Sequence, residues 1–200
     1  MPRQPLLTAA TLTLLTLTAC THSPEAGQPN TTPTTPTTTS NPTPTPSSPT
    51  WTTEQQTAIT AAKARYTVAR AAVNAAFKQP AKATTSALET AGNGGSWMTA
   101  VAGQLDFQIE HGWYQTGDAT VTSLEVRSVN LDLEQPEVKL TSCIDSSRVV
   151  SRYLSSGKPV PVASDNGSHH RFESRLVYAK SAKTGQKMWF LVDEKTTKPC

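Results

Sequence analysis

The spacing of apolar residues divides the chain beyond residue 50 into a helical part and a strand part. Between residues 51 and 80, apolar positions recur at steps of three and four, the repeat of one face of a helix. The positions that form this stripe are Ile59, Ala62, Tyr66, Ala69, Val73 and Ala76 with Phe77. Thr52 or Thr53 can cap the helix, with a glutamine three residues on completing a capping box. Pro80 ends it.

Two further helices follow from the same kind of pattern. A short helix is predicted over Ala81–Ala91, because the run Gly92-Asn93-Gly94-Gly95 behind it is typical of a helix end. A third helix is predicted over Ser96–Glu110 and ends at His111-Gly112. Its apolar residues lie four apart, at Trp97, Val101, Leu105 and Ile109.

Beyond residue 112 the apolar period changes to two, which indicates strands. Leu124 and Val126 alternate, and then Val129, Leu131 and Leu133 alternate on a shifted phase. The shift predicts a bulge or bend near Arg127-Ser128.

Three more strands, with turns between them, are predicted in the rest of the chain. One strand places Val138, Leu140 and Ile144 on one face and Cys143 on the other, and a second contains Phe172, Leu176 and Tyr178. The almost wholly apolar Met188–Val192 predicts a central strand covered on both faces. Ser181–Gln186 predicts a hairpin, while Ser155–Pro159 and Asp165–Ser168 are turn signals. Helices followed by strands indicate an α+β domain, with N-terminal helices packed on a curved, mostly antiparallel sheet.

Residues 20–50 have a different composition, dominated by Thr, Pro, Ser and Asn. The stretch TTPTTPTTTSNPTPTPSSPT has no aliphatic or aromatic side chain, so it has nothing to bury against the entropy of folding. It predicts a disordered, extended stalk that holds a domain of residues 51–200 away from its anchor.

The first nineteen residues have the layout of a secretory signal: one basic residue, Arg3, then a short apolar segment and small residues before Cys20. The apolar segment spans about a dozen residues, against the ~20 that a spanning helix needs. Leu17-Thr18-Ala19-Cys20 resembles the bacterial lipobox. That resemblance implies cleavage before Cys20, lipid on its thiol, and attachment to the outer face of the cell membrane. An ordinary secretory signal with a chance cysteine is the alternative.

If Cys20 carries lipid, Cys143 and Cys200 remain, and two cysteines of an exported protein can pair. Their disulfide would close a long loop and contribute about 4 kcal/mol in the chain-entropy model. Two free thiols, or pairing of Cys200 with another chain, are the alternatives. No Cys-x-x-Cys is present, so redox catalysis and zinc ribbons have no support.

The formal net charge of +3 is too small to indicate a nucleic-acid partner. The positive charges are scattered, apart from a modest C-terminal group of lysines that is typical of a solvated face. This group consists of Lys180, Lys183, Lys187, Lys195 and Lys198.

The order of elements resembles the nuclear transport factor 2-like cone fold, and in particular actinobacterial lipoproteins of that superfamily. The resemblance extends over residues 51–200 and includes a last strand with a tryptophan and a closing cysteine. It rests on four segments: AVNAAF at 72–77, GWYQTG at 112–117, SVNL at 128–131 and TSCIDSS at 141–147. Some members occur in phage, prophage or conjugative-element settings.

The cone fold implies a pocket between helices and sheet. The residues that could line it here are Tyr66, Trp97, Trp113, Tyr114, Asp145 and Trp189. Asp145 is the candidate base for an enzyme of this fold, with Tyr66 or Tyr114 as hydrogen-bond donor. Its position beside Ser146-Ser147-Arg148 instead favours a turn residue or a partner of Arg148.

Metal, cofactor and nucleophile sites find no support in the sequence. His169 and His170 are adjacent on a strand and would point to opposite faces, so they do not suggest a shared metal site. No phosphate-binding glycine loop or nucleophile elbow is present.

The sequence therefore favours a non-catalytic, lipid-anchored envelope protein that presents a binding domain to another surface protein. A phage- or mobile-element-borne exclusion lipoprotein, with an envelope or phage protein as partner, is one specific version. The alternative is an extracytoplasmic module that binds a small apolar ligand in the cone pocket. An enzyme is the third hypothesis.

Overall fold

The computed structural model describes residues 50–161 and 168–200. The signal, Cys20 and the stalk lie outside the described residues, as does most of the Asp165–Ser168 turn. The helical elements are α1 (Thr53–Lys78), a single 3₁₀ turn (Pro80–Lys82), α2 (Thr85–Thr90) and α3 (Gly95–Glu110). The strands are β1 (Trp113–Thr116), β2 (Thr120–Asn130), β3 (Glu137–Asp145), β4 (Val150–Tyr153), β5 (His169–Lys180) and β6 (Lys187–Pro199).

The predicted α+β class is confirmed. Four strands form an antiparallel sheet in the order β2-β3-β5-β6, and β1 and β4 form a separate antiparallel pair. The register of β2 on β3 shifts twice, and that of β5 on β6 shifts between Arg175 and Leu176. Such bulges bend and twist a strand. The shift between Val126 and Ser128 confirms the predicted bulge.

Helix α1 begins and is buried as its pattern predicts. The Thr52 hydroxyl accepts a hydrogen bond from the Gln55 amide, and the Gln55 side chain accepts one from the Thr52 amide. This capping box satisfies amide groups that the first turn would otherwise leave unpaired. The buried residues are Ile59, Ala62, Tyr66, Ala69, Val73 and Ala76. The alanines of this stripe let the helix axis approach the sheet.

Two apolar clusters hold the layers together. The larger joins α1 to the sheet and contains Ala62, Tyr66, Ala69, Val138, Leu140, Leu176, Trp189 and Leu191. The smaller joins the three helices and contains Val73, Ala76, Leu88, Val101 and Leu105. Trp97 packs against both clusters and so connects them.

The apolar strand β6 is covered on both faces, as predicted, but it lies at the edge of the sheet. Its outer edge is occupied by the turn between α2 and α3: the Gly94 amide donates to the Leu191 carbonyl, and the Leu191 amide donates to the Gly92 carbonyl. Gly95 has a φ of +54°, and a Cβ there would lie 2.7 Å from the Val192 carbonyl oxygen. The close contact of the turn with β6 therefore needs glycine at this point.

Asn93 fixes the same turn from inside. Its fully buried side-chain amide donates to the carbonyl oxygens of Ala69, at 3.3 Å, and Leu88, at 3.1 Å. Its side-chain oxygen accepts a hydrogen bond of 2.8 Å from the Trp97 indole. One side chain thus ties all three helices together.

Several details differ from the sequence pattern. The second helix is only Thr85–Thr90, because a 3₁₀ turn and an extended Ala83 precede it. On α3, Ile109 is exposed and Gln108 is buried. Strand β2 ends at Asn130, so Leu131 and Leu133 belong to the connection to β3.

Candidate functional site

A buried polar network lies between α1 and the inner face of the sheet. Its centre is Glu194 on β6, whose side chain is 0% exposed. One carboxylate oxygen accepts hydrogen bonds from the Tyr66 hydroxyl, at 2.8 Å, and the Ser174 hydroxyl, at 3.0 Å. The other lies 2.6 Å from an Arg70 guanidinium nitrogen. The Tyr66 and Ser142 hydroxyls are 2.8 Å apart, which extends the network to β3.

Two aromatic rings enclose the cation of this network. The guanidinium carbon of Arg70 lies 5.3 Å from the centre of the Trp97 ring and 5.5 Å from that of Phe172. Both distances are within the range of cation–π attraction. The Arg70 side chain is 14% exposed, so its charge is largely removed from water. The pair with Glu194 therefore acts in a medium of low polarity, where a missing partner would be costly.

The protonation of Tyr66 follows from this environment. Burial raises the pKa of the Tyr66 phenol, and the negative charge of Glu194 raises it further, while Arg70 and the hydrogen bond with Ser142 act in the opposite direction. The phenol therefore stays protonated as a donor. Because Glu194 already accepts from three groups, the arrangement suits bracing of α1 against three strands better than proton transfer to a substrate.

Asp145, the candidate base, lies at the end of β3 and not in this network. Its carboxylate accepts a hydrogen bond of 2.8 Å from the Ser147 amide and lies 3.8 Å from His169. The Ser147 hydrogen bonds lower the pKa of the Asp145 carboxyl, and the nearby His169 and Arg148 charges lower it further. Asp145 is the last residue of β3, and its side chain binds the backbone of the turn that follows. Neither Tyr66 nor Tyr114 is among its hydrogen-bond partners within the described residues.

The six residues proposed to line a cone pocket lie at separate places. Tyr66 and Trp189 are buried in the larger core cluster, and Trp97 packs against it. Trp113 and Tyr114 lie on β1, opposite Tyr153 and Arg152 of β4. Asp145 lies at the end of β3. The structure therefore brings Tyr66, Trp97 and Trp189 together in the core and places the other three residues elsewhere.

An exposed aromatic cluster lies where α3 meets the β1–β4 pair. We define the aromatic cluster as Phe107, His111, Trp113 and Tyr153. The ring of Phe107 lies 4.1 Å from that of His111 and 5.4 Å from that of Trp113, and Trp113 lies 6.1 Å from Tyr153. Phe107 is 41% exposed, and Leu154, directly after Tyr153, is 68% exposed. Exposed apolar groups gathered in this way are typical of interaction surfaces.

A surface cavity of about 490 Å³ lies beside Trp189, between the start of α1 and the β2–β3 connection. Apolar groups form most of its wall, and Glu54 and Thr57 supply polar groups. Its lining residues are Glu54, Thr57, Ala58, Ala61, Leu131, Pro136, Tyr178 and Trp189. It is an open depression of the surface, and its volume lies within the range of small-ligand sites.

The predicted disulfide is present. Cys143 and Cys200 are bonded, with their Cα atoms 6.0 Å apart. The bond joins β3 to the residue after β6, across the intervening strand β5. A disulfide of this kind indicates an oxidising, extracytoplasmic compartment.

Two negative observations apply to residues 50–161 and 168–200. No three His, Cys, Asp or Glu side chains lie close enough together to hold a metal ion. No helix in these ranges is long and apolar enough to cross a membrane.

Comparisons with known proteins identify no family for this chain. No protein-family model matches the chain, and no curated protein matches it significantly. Among solved structures, the intermembrane space region of chloroplast protein ARC6 aligns with a TM-score of 0.46 and 12% identity, over 71% of this chain and 95% of that one. A likeness at this level carries neither a family nor a function.

Proposed function

We propose that this protein is a lipid-anchored protein of the outer face of the cell membrane, whose α+β domain binds another surface protein without catalysis. The lipobox-like Leu17–Cys20, the Thr/Pro stalk and the Cys143–Cys200 disulfide support export and anchoring. The closed hydrogen bonding around Glu194 favours binding over catalysis, because that carboxylate is engaged by Arg70 and two hydroxyls.

The observation that carries the binding role is the aromatic cluster with its neighbour Leu154. Trp113 and Tyr153 face each other on paired strands, and Phe107 on α3 is one turn before His111, the residue that caps this helix. Rigid elements therefore present the cluster, and little entropy is lost when a partner covers it. Aromatic side chains in such positions are enriched at protein interfaces.

Site-specific crosslinking on intact cells tests this role. A photoreactive residue at Leu154 should give a discrete crosslinked product with one envelope protein, and the same residue at Leu133 serves as control. Leu133 is also an exposed leucine, 45% accessible, but lies in the β2–β3 connection. Equal products from both positions, or none from Leu154, would contradict the assignment of the binding surface.

The anchor is tested separately by Cys20→Ala. Loss of membrane association and of the crosslink is expected, because one thiol would carry the lipid on which attachment depends. If the protein is a phage-exclusion lipoprotein, the same variant should also lose resistance to related phage. If related phage plate equally well on cells with the variant and with the unmodified protein, the phage-exclusion role is eliminated. The anchoring proposal is then still judged by membrane association alone.

The cavity beside Trp189 favours a second candidate function, binding of a small apolar ligand. Native mass spectrometry of protein taken from its host membrane should then show a bound lipid-sized mass. Ala61→Phe would put a large ring into the lining of the cavity and remove that mass, while Ala64→Phe, one turn further along α1 and outside this cavity, would retain it. An identical spectrum for both variants and the unmodified protein, free of ligand, would eliminate this candidate.

A further inference from the structure

The outer face of the sheet, turned away from α1, contains a cavity of about 390 Å³ that is lined by six charged residues together with Leu140 and Ser174. Four of the charged side chains are cationic and two are anionic. The cations are Arg127, Lys139, Arg175 and Lys195, and the anions are Glu173 and Asp193. The site shares none of its charged residues with the aromatic cluster or with the cavity beside Trp189.

The register of the strands places three of the cations side by side. Lys139 on β3 lies directly opposite Arg175 on β5. On the other side of Lys139, its partner on β2 is Ser128, and Arg127 is the adjacent residue of the bulge. We call Arg127, Lys139 and Arg175 the cation row. Like charges opposite each other on neighbouring strands destabilise a sheet.

Nearby carboxylates compensate the cation row only in part. Glu137 lies 3.3 Å from Lys139 and 3.5 Å from Arg175, so one carboxylate serves both. Asp193, opposite Arg175 on β6, lies 3.6 Å from Lys195. Arg127 has no ion pair within the described residues. The row therefore keeps one cation, Arg127, that these carboxylates do not pair, and a local arrangement that opposes stability is a sign of a functional site.

We propose that the cation row binds a phosphate-bearing anion. Two guanidinium groups and an ammonium group border one cavity, and the guanidinium fork matches the oxygen geometry of phosphate. The bulge supports this role, because it inserts Arg127 as an extra residue beside Lys139 and turns it into the cavity. An anion in the row would relieve the repulsion that the sheet otherwise carries.

Titration calorimetry with tripolyphosphate at constant low ionic strength tests the proposal. The full chain should bind, and Arg127→Gln should weaken binding about tenfold, the effect of one charge-assisted hydrogen bond. Arg171→Gln is the matched control. Arg171 is an exposed arginine of β5, opposite Cys143 and outside the cavity. This variant should bind within about twofold of the unmodified protein.

A second measurement separates binding from folding. Without ligand, Arg127→Gln should unfold at the same temperature as the unmodified protein or a higher one, because it removes a repulsive charge. No heat with the unmodified protein, equal weakening by the two variants, or a lower unfolding temperature for Arg127→Gln would overturn the proposal.

Co-sedimentation with vesicles then identifies the source of the phosphate. Vesicles of phosphatidylglycerol in phosphatidylcholine should retain the unlipidated domain if the row meets lipid headgroups. If the protein binds tripolyphosphate but does not sediment with these vesicles, the site is instead assigned to a soluble or polymeric phosphate ligand. Failure of these experiments leaves the crosslink at Leu154 unaffected, so the two proposals are tested independently.

Discussion

The ion pair between Arg70 and Glu194 should be the most sensitive polar contact of the domain. Glu194→Gln keeps the size of the side chain and leaves an oxygen that can accept from Tyr66 and Ser174. It removes the negative charge that Arg70, 14% exposed and 2.6 Å away, needs as partner. The variant therefore isolates the cost of leaving the guanidinium unpaired between two aromatic rings.

The expected loss follows from the burial of the pair. Removing one partner of a buried ion pair costs about 3–5 kcal/mol. The lower value applies here, because Arg70 retains some contact with water and its cation–π contacts. A loss of about 3 kcal/mol in a domain of this size corresponds to a decrease of about 6–12 °C in the unfolding temperature.

The assay is a double-mutant cycle with urea unfolding followed by tryptophan fluorescence. Arg70→Met removes the other charge and keeps an apolar chain between the rings of Trp97 and Phe172. The double variant should be more stable than the sum of the single losses predicts, by about 2 kcal/mol, because neither charge is then left unpaired.

Additive losses would refute the reasoning. If the double variant loses the sum of the two single losses to within about 0.5 kcal/mol, the two side chains do not interact in the folded protein. A loss below about 1 kcal/mol for Glu194→Gln would show that water solvates Arg70 when its partner is gone.

Three further changes have defined outcomes. Folding raises the pKa of the Tyr66 phenol, so the contribution of Tyr66 to stability is complete below pH ~10. Above that pH the contribution falls by up to about 1.4 kcal/mol per pH unit. Urea midpoints measured against pH should show this fall, and Tyr66→Phe should flatten the curve. Replacing both Cys143 and Cys200 by serine should lower the free energy of unfolding by about 2–4 kcal/mol, since the bond closes a separation of 57 residues, and an unchanged urea midpoint would contradict this. Asn93→Ala should cost about 3 kcal/mol because three buried hydrogen bonds are lost, whereas the exposed Asn130→Ala should change the melting temperature little.

The sequence predicted the parts of the fold that local periodicity controls. The apolar stripe of α1 is confirmed from Ile59 to Ala76, and so is its capping box, because both depend on neighbours within four positions. The bulge near Arg127 is confirmed because it appears as a phase shift along one strand. The predicted central position of β6 in the sheet was wrong. An apolar strand reads as central, but here the α2–α3 turn covers its outer edge.

The buried network was missed for a physical reason. Strict alternation from Trp189 and Leu191 would turn Asp193 inward and Glu194 outward. The register shift opposite Arg175 and Leu176 leaves Val192 as an extra residue and reverses the phase, so Glu194 faces Ser174 and Tyr66. The acidic pair Asp193-Glu194 directly after the apolar run was the available signal. Its partner Arg70 is 124 positions away, beyond any local pattern.

The aromatic cluster was missed for a different reason. The sequence assigned Trp113 to a pocket. Its surroundings depend on the pairing of β1 with β4, and strands of four residues carry too little pattern to predict that pairing. Phe107 falls outside the spacing predicted for the apolar face of α3. Contacts between remote segments, rather than the period within one segment, create this surface.

The exposed edge of strand β2 affects how copies of the protein would behave under the anchoring proposed above. Eleven residues long, it pairs only with β3 in the described part of the chain, so its other side offers unpaired backbone groups to a second molecule. Copies held at high surface density would be at risk of joining strand to strand and aggregating. Its two bulges interrupt a straight template, and Glu125 and Arg127 place charges along it. The same irregularities that shape the sheet thereby help to keep neighbouring copies apart.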